Sequence, residues 1–458
     1  LHVEFRGGAY HGPLIADRSY NYRPPQAWEN GGRGHVEFTG TNAMTVVAHT
    51  ETTTLSAVRR QWAFDLNLTP VKPIDLKKQF SQRYYHGDPA KFEVAALKGA
   101  NIVNIHHAYA LNPVINYPFI VQKKLKEYIA EQHAKNRKVK LYYTIRELTN
   151  YTVELQALRS LGSEIVAPGN AHGSPWLWEH IGEGYRPAWY VRMSDGSYVD
   201  AAFVTTPFSR WINYYLEGLR WMFQNYEIDG IYMDDVCFSR TVMKRIRRII
   251  EKYRPGALVD LHSNTAYSKG PMNQYTEFFP YIDRIWFGEF FRYNEMNADS
   301  WFVTFSGIPF GQMSEMLQNG GNRWLGLVYG TTRRYYGKDA GANPTAIWNA
   351  CLDFGFENSE MVGYWDAAPV VTTSDERVKA TAFIQEGMRT CIVLGNFSKT
   401  PCTIKLEIDW RRLKIDPNSV RIFMPYIDGF QEKREFAVGE SITVAPLGGF
   451  LFCIEPKK

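Results

Sequence analysis

From about residue 95 to residue 366, short apolar runs alternate with amphipathic helical patterns. This constrains the fold more than any other feature of the 458-residue chain. The runs are Ile102 to Ile105, Val139 to Ile145, Ile231 to Met233, Leu258 to His262, Arg284 to Glu289, Gly307 to Gly311 and Met361 to Asp366. Between them, residues 118–135 put Phe119, Ile120, Leu125, Tyr128 and Ile129 on one helical face. Ser209 caps a second helical stripe running through Trp211, Tyr215, Leu219, Met222 and Phe223, which stops before Asp229-Gly230. Strand–helix alternation is the sequence form of a parallel sheet. Its length and count favour a (β/α)8 barrel over an open doubly wound sheet. No glycine-rich phosphate loop follows the first strand, which argues against a dinucleotide-binding fold.

Both flanks read as β-rich. The expected organisation is an N-terminal β domain over 1–76, short enough to be the remnant of a β-sandwich, a TIM-like catalytic barrel over 77–375, and a C-terminal antiparallel β-sandwich over 376–458. The first boundary rests on the prolines of the stretch Phe64 to Asp75. The last domain rests on the runs at 391–397, 403–408, 420–426 and 441–455.

Composition excludes several functions. Fifty-two basic residues against 47 acidic ones give a net charge of only +5. The one basic cluster (Lys244, Arg245, Arg247, Arg248, Lys252 and Arg254) is interleaved with apolar residues at helical spacing, as on the solvated face of a helix. A nucleic-acid partner is not expected. No run approaches the ~20 apolar residues of a membrane span. The five cysteines show no CxxC or Cys/His ligand spacing, so neither a structural zinc site nor a disulfide framework is expected. Cys391 and Cys402 would pair only if they face each other on neighbouring strands. No cofactor or metal is expected, and the sequence does not fix an oligomeric state. The chain begins at Leu1 without a signal-peptide pattern, as a processed or truncated product would. A secreted, periplasmic or cell-surface location is the expectation.

In barrel enzymes the chemistry sits where the strands end. Read in order, those ends give His106 and His107, Arg146 and Glu147, Asp234 and Asp235, His262, Glu289, Glu315 and Asp366. Several carboxylates around one rim suggest glycosidic hydrolysis, which needs two. Asp234 ends the fourth strand in DGIYMDD. Neighbouring side chains on a strand face opposite ways, so Asp234 and Asp235 cannot both enter the barrel from a regular strand. Glu289, in RIWFGEFF, sits among aromatic residues that would raise its pKa and suit a general acid. The leading expectation is an exo-acting, retaining glycoside hydrolase on a complex glycan. Asp234 attacks the anomeric carbon, and Glu289 protonates the leaving oxygen and later activates water. The alternatives are substrate-assisted cleavage of an N-acetyl sugar by Asp234 and Asp235, and a carbohydrate-binding barrel without catalysis. A metal-dependent hydrolase is disfavoured, because His106 and His107 would point opposite ways on a strand.

His106, His107, Arg146, His262, Glu315 and Asp366 are candidate sugar-binding groups, and Tyr143, Tyr232, Trp286 and Trp365 a candidate sugar platform. Aromatic residues make up 15% of the chain, and many stand beside the rim acids, which fits a sugar cleft better than base stacking.

Longer stretches carry a family likeness. LTPVKPID, NIVNIHHAYALNPVINYPF, KLYYTIRELTN, EIDGIYMDD, VDLHSNT, YIDRIWFGEFF, SGIPFGQMSEML and MVGYWD, spanning about 65–370, resemble a bacterial group of glycoside-hydrolase-like proteins close to glycoside hydrolase family 123. The resemblance implies an N-terminal β-sandwich, a barrel and a C-terminal β domain. It also implies the β-N-acetylgalactosaminidase-type activity of family 123 relatives, which use an adjacent Asp-Glu pair. This chain has Asp234-Asp235 at the comparable strand end, a departure that leaves the sugar open. An Asp on strand 4 with a later Glu is also similar to retaining α-galactosidase and α-N-acetylgalactosaminidase barrels.

Overall fold

The computed structural model describes residues 2–6, 33–40, 45–52, 54, 63–144, 147–167, 187–193, 195–206, 209–234, 239–262, 272–287, 292–316, 321–335 and 344–457. Eight parallel strands form one sheet in sequence order: β1 (Tyr84–Gly87), β2 (Ile102–Ile105), β3 (Lys138–Tyr142), β4 (Gly230–Met233), β5 (Leu258–His262), β6 (Arg284–Phe287), β7 (Ser314–Met316) and β8 (Thr332–Arg333). The sheet closes on itself. Tyr335, just past β8, bridges Tyr85 of β1 in parallel, and its N–H donates to the Tyr84 carbonyl at 2.8 Å.

The period-two alternation of each strand builds two separate cores. Val103, Ile105, Val139, Leu141, Ile231, Met233, Val259, Leu261, Ile285 and Phe287 face outward into the layer between strands and helices. Tyr84, Ile102, Tyr142, Tyr232, Leu258 and Trp286 face inward and fill the barrel. The outer layer includes α1 (Gln122–Ala134), which buries Leu125 and Ile129, and α2 (Trp211–Asn225), which buries Tyr215, Leu219 and Met222. In α3 (Arg240–Tyr253), Val242, Met243, Ile246 and Ile250 are buried while Lys244, Arg245, Arg248 and Lys252 face solvent, so the basic cluster is a solvated helix face.

Two runs expected as barrel strands are not. Residues Gly307 to Gly311 form a single 3₁₀ turn, Ile308–Phe310, between two glycines at φ 78° and 75°. A Cβ on Gly311 would overlap the Lys72 carbonyl, so this close approach needs glycine. The seventh strand follows it at Ser314–Met316, and the run Tyr84–Gly87, unassigned from sequence, is the first. The other run, ending in Trp365 and Asp366, contributes Glu360–Gly363 to the C-terminal sheet, where it pairs antiparallel with Val378–Gln385.

That C-terminal sheet has six antiparallel strands, and its alternation serves two cores. Ile392, Leu394, Phe452 and Ile454 face the domain's own interior. Phe383, Cys391, Val393, Leu451 and Cys453 join the outer core of the barrel. Cys391 therefore stands opposite Cys453, while Cys402 lies in the other core and cannot meet it. The four described cysteines are free thiols. The contact with the barrel is close: Thr381 Oγ1 donates to the Val328 carbonyl at 2.6 Å. A Cβ on Gly395 would come within 2.8 Å of Val328.

At the N-terminus the described residues form two antiparallel ladders, His2–Arg6 with Ala63–Asn67 and Gly34–Thr39 with Thr45–Thr50. A three-stranded antiparallel sheet that the periodicity did not reveal is inserted after β3. Val199–Val204 is its centre, flanked by Glu147–Thr149 and Pro187–Arg192. Among the described residues, no helix is long and apolar enough to cross a membrane.

Candidate active site at the barrel rim

Asp234 is the first residue past β4, where the chain leaves the sheet. At the other end of that strand, Gly230 has φ 153°, and a Cβ on it would overlap the Leu258 carbonyl, so β4 can lie beside β5 only with glycine there. Three neighbours fix Asp234. Tyr142 Oη, from β3, donates to Oδ2 at 2.7 Å. Nδ1 of His262, from β5, lies 2.9 Å from Oδ1. Thr144 Oγ1 donates to the Asp234 backbone carbonyl at 2.7 Å. Thr144 is held in turn by Asn116, whose Oδ1 accepts from the Thr144 N–H at 2.6 Å and whose Nδ2 donates to the Glu147 carbonyl. The Asp234 side chain keeps 24% exposure, against 7% for His262, so the carboxylate is the member of the pair that a ligand can reach.

Rings surround it. His86, at the end of β1, accepts at Nδ1 from Asn104 Nδ2 at 2.8 Å, which puts its proton on Nε2. Burial, followed by the charges of Arg334 and the neighbouring histidines, holds the His86 pKa well below the usual histidine value. His106 Nδ1 donates to the His107 carbonyl at 3.0 Å, leaving Nε2 as an acceptor. Burial lowers its pKa as well, against the raising effects of that carbonyl and of Asp234. Both imidazoles are thus set to be neutral hydrogen-bonding groups at neutral pH. The His106 and His107 rings lie 4.5 and 4.8 Å from Tyr142, and His107 lies 5.0 Å from Trp189 of the inserted sheet. The expectation that the two histidines diverge fails because β2 ends at Ile105, so neither is held by strand geometry. Tyr232 and Trp286, 5.3 Å apart, form the floor.

Below that floor the barrel is charged. Lys140 pairs with Asp260, both fully buried, and Arg284 pairs with Glu315 at 2.7 Å. Glu315 also accepts from Thr332 Oγ1 at 2.6 Å.

The structure therefore gathers Asp234, His106, His107 and His262 at one mouth, with Tyr232 and Trp286 buried directly beneath them, 3% and 0% exposed. It places four other candidates elsewhere. Glu315 is 1% exposed and tied to Arg284 beneath the floor, not at the rim. Tyr143 faces outward, stacks 4.4 Å from Tyr215 of α2 and donates to that residue's carbonyl. Trp365 stacks on Tyr329 and Phe302 in the outer layer. Asp366 caps its own turn by accepting from the Gly363 N–H at 2.6 Å. Arg146, Asp235 and Glu289 lie outside the described residues. Sequence reading missed Tyr142, His86, Asn104, Thr144 and Trp189 as site residues. For Tyr142 the signal was available, since it is two residues from the inward-facing Lys140 and so shares its face.

Three domain models of one family match the chain: the glycoside hydrolase 123 TIM-barrel domain over residues 75–336, the C-terminal domain over 343–455 and the third domain over 1–70. The chain belongs to glycoside hydrolase family 123. It is a glycoside hydrolase built on a TIM barrel. A comparison with curated proteins finds no match. Among solved structures, the α-amylase from Geobacillus thermoleovorans complexed with acarbose is similar, at 10% identity and TM-score 0.54, over 83% of this chain and 99% of that one. An Anoxybacillus α-amylase gives the same values. A β-L-arabinopyranosidase from Geobacillus stearothermophilus gives 10% identity and TM-score 0.50, over 84% of this chain and 100% of that one. At such identities the likeness shows the fold alone.

Proposed function

We propose that this family 123 member removes a terminal 2-acetamido sugar from a complex glycan by substrate-assisted hydrolysis at the mouth around Asp234. The observation that carries the reading is the grip on Asp234: one carboxylate oxygen accepts from Tyr142 Oη and the other lies against His262 Nδ1. A carboxylate that accepts one hydrogen bond and lies against an imidazole is placed to accept a further N–H and to stabilise adjacent positive charge. In this route the acetamido oxygen attacks the anomeric carbon, and the carbon–oxygen bond to the leaving group breaks. Asp234 receives the hydrogen bond of the acetamido N–H as that group becomes cationic. Asp235 gives its proton to the leaving oxygen, then takes a proton from the water that reopens the ring. The neutral histidines give hydroxyl partners for one sugar, and the buried Tyr232–Trp286 pair closes the barrel beneath them.

A second reading keeps Asp234 as the attacking nucleophile, with Glu289 as acid and base in a retaining double displacement. In its favour, Trp286 of β6 packs against Tyr232 of β4, so the strand that leads to Glu289 ends at the same mouth.

Hydrolysis of nitrophenyl 2-acetamido sugars and their 2-hydroxy counterparts separates the two. On the first reading only acetamido sugars are cleaved, a thiazoline mimic of the cyclic intermediate inhibits, and Asp234→Asn and Asp235→Asn are both inactive. Cleavage of 2-hydroxy sugars with loss of activity in Glu289→Gln, while Asp235→Asn stays active, establishes the second reading and refutes the first.

A further inference from the structure

We propose that the hairpin of Gly34–Thr39 and Thr45–Thr50 binds one transition-metal ion of the zinc class through His35, Glu37 and His49. The hairpin's register makes His35 and His49 directly opposite partners. Glu37 is two residues beyond His35 and therefore shares its face. The three side chains converge: Glu37 Oε1 lies 3.1 Å from His49 Nε2 and 3.7 Å from His35 Nε2. The two imidazoles meet edge to face with centroids 3.7 Å apart. One ligand atom from each residue falls within 4.8 Å of the others, and no other group of three His, Cys, Asp or Glu among the described residues does so.

Zinc–ligand bonds of about 2.0–2.1 Å at tetrahedral angles put ligand atoms about 3.3–3.4 Å apart. The two measured separations straddle that edge, so small side-chain rotations seat an ion. Two imidazoles and a carboxylate are a donor set for Zn²⁺, and equally for Co²⁺, Ni²⁺ or Cu²⁺. The hard ions Mg²⁺ and Ca²⁺ prefer all-oxygen shells. A proton between the groups satisfies one His–Glu contact, whereas a metal satisfies all three donors at once. The side chains are 46%, 55% and 41% exposed, so an ion reaches them from solvent and keeps water in its remaining position. Bound there, it ties the two strands together across the sheet. The site is on a different domain from the barrel rim and is independent of the glycosidase reading.

The test uses the full chain without a polyhistidine tag. Equilibrium dialysis with ZnCl₂ and the visible spectrum with CoCl₂ are measured for wild type, His35→Ala, His49→Ala and the double His35→Ala/His49→Ala variant. One ion per chain for wild type, with the intense cobalt bands of a four-coordinate site, is expected. Binding should be lost in each histidine variant, and weakened for wild type as the pH is lowered, because ligands must shed protons to bind. Far-UV circular dichroism and unchanged hydrolysis confirm that the variants are folded. No stoichiometric ion on wild type overturns the proposal. So does an ion that persists on the double variant, which would place it elsewhere on the chain.

Discussion

Replacing Lys140 with methionine tests whether the barrel floor is as dry as its geometry states. Lys140 on β3 and Asp260 on β5 flank β4, and neither side chain is exposed at all. The ammonium also sits 5.2 Å from the Tyr84 ring and 5.9 Å from the Trp286 ring. Burial lowers the Lys140 pKa, and Asp260 opposes that shift. Asp260 Oδ1 has no hydrogen-bond partner among the described residues, so the carboxylate depends heavily on this one cation. Lys140→Met keeps an unbranched apolar side chain one atom shorter and removes the charge. Stranding a buried partner costs about 3–5 kcal/mol, which for a barrel of this size lowers Tm by about 6–10 °C. The double variant Lys140→Met/Asp260→Leu removes both charges, and apolar replacement of a buried pair is neutral or stabilising by about 1–4 kcal/mol. It should recover most of the loss. Thermal unfolding at neutral pH, followed by near-UV circular dichroism, reads both effects. A loss below about 1 kcal/mol in Lys140→Met, or a double variant as unstable as the two singles summed, refutes the reasoning.

Three further outcomes are expected. Tyr142→Phe deletes one hydrogen bond to a charged carboxylate, worth about 1.5–3 kcal/mol, so kcat/KM should fall about 10–150-fold while Tm barely moves. Asp200, buried in the inserted sheet, accepts from the Ile115 N–H and from Thr149 Oγ1, both at 2.7 Å, and burial pushes its pKa up to about 7. A raised folded pKa makes the folded state hold the proton longer. Its contribution is full below about pH 4, declines as pH rises to about 7 and is flat above. The swing is at most about 4 kcal/mol, and a Tm-versus-pH series should flatten in Asp200→Asn. Gly230→Ala forces a Cβ into the Leu258 carbonyl at a φ that L residues rarely adopt. Soluble yield should collapse, or Tm should fall by the equivalent of about 3 kcal/mol or more.

The barrel was legible because its outward residues repeat: Val103 and Ile105, Val139 and Leu141, and Val259 and Leu261 each alternate with inward groups between amphipathic helices. Asp234 was legible for the same reason, as the acid on which such a strand ends. What stayed hidden has physical causes. Strands of two to four residues, such as Ser314–Met316 and Thr332–Arg333, are too short for a period to register. Glu315 looks like a rim acid, and only three-dimensional register reveals Arg284 beside it. The run ending in Trp365 and Asp366 has the hydrophobicity of a strand but carries no mark of which sheet it joins. The hold of Tyr142 and His262 on Asp234 joins residues 92 and 28 positions away across β3, β4 and β5, a proximity that only barrel closure creates.

The C-terminal sheet has a consequence for biosynthesis. Its strands Arg389–Asn396 and Gly449–Pro456 press glycines against the helix Arg323–Val328, which leads into the last barrel strand: Gly395 against Val328 and Gly449 against Trp324. The outer cover of that helix is thus encoded more than sixty residues after the helix itself, and part of it more than a hundred. A nascent chain released or stalled near residue 340 carries all eight barrel strands yet exposes the apolar side of their final helix. On the ribosome the barrel must wait for the strand Gly449–Pro456 before its outer layer is sealed. A truncation that ends at the barrel should therefore be captured by chaperones, although every candidate rim residue at the mouth has already been synthesised.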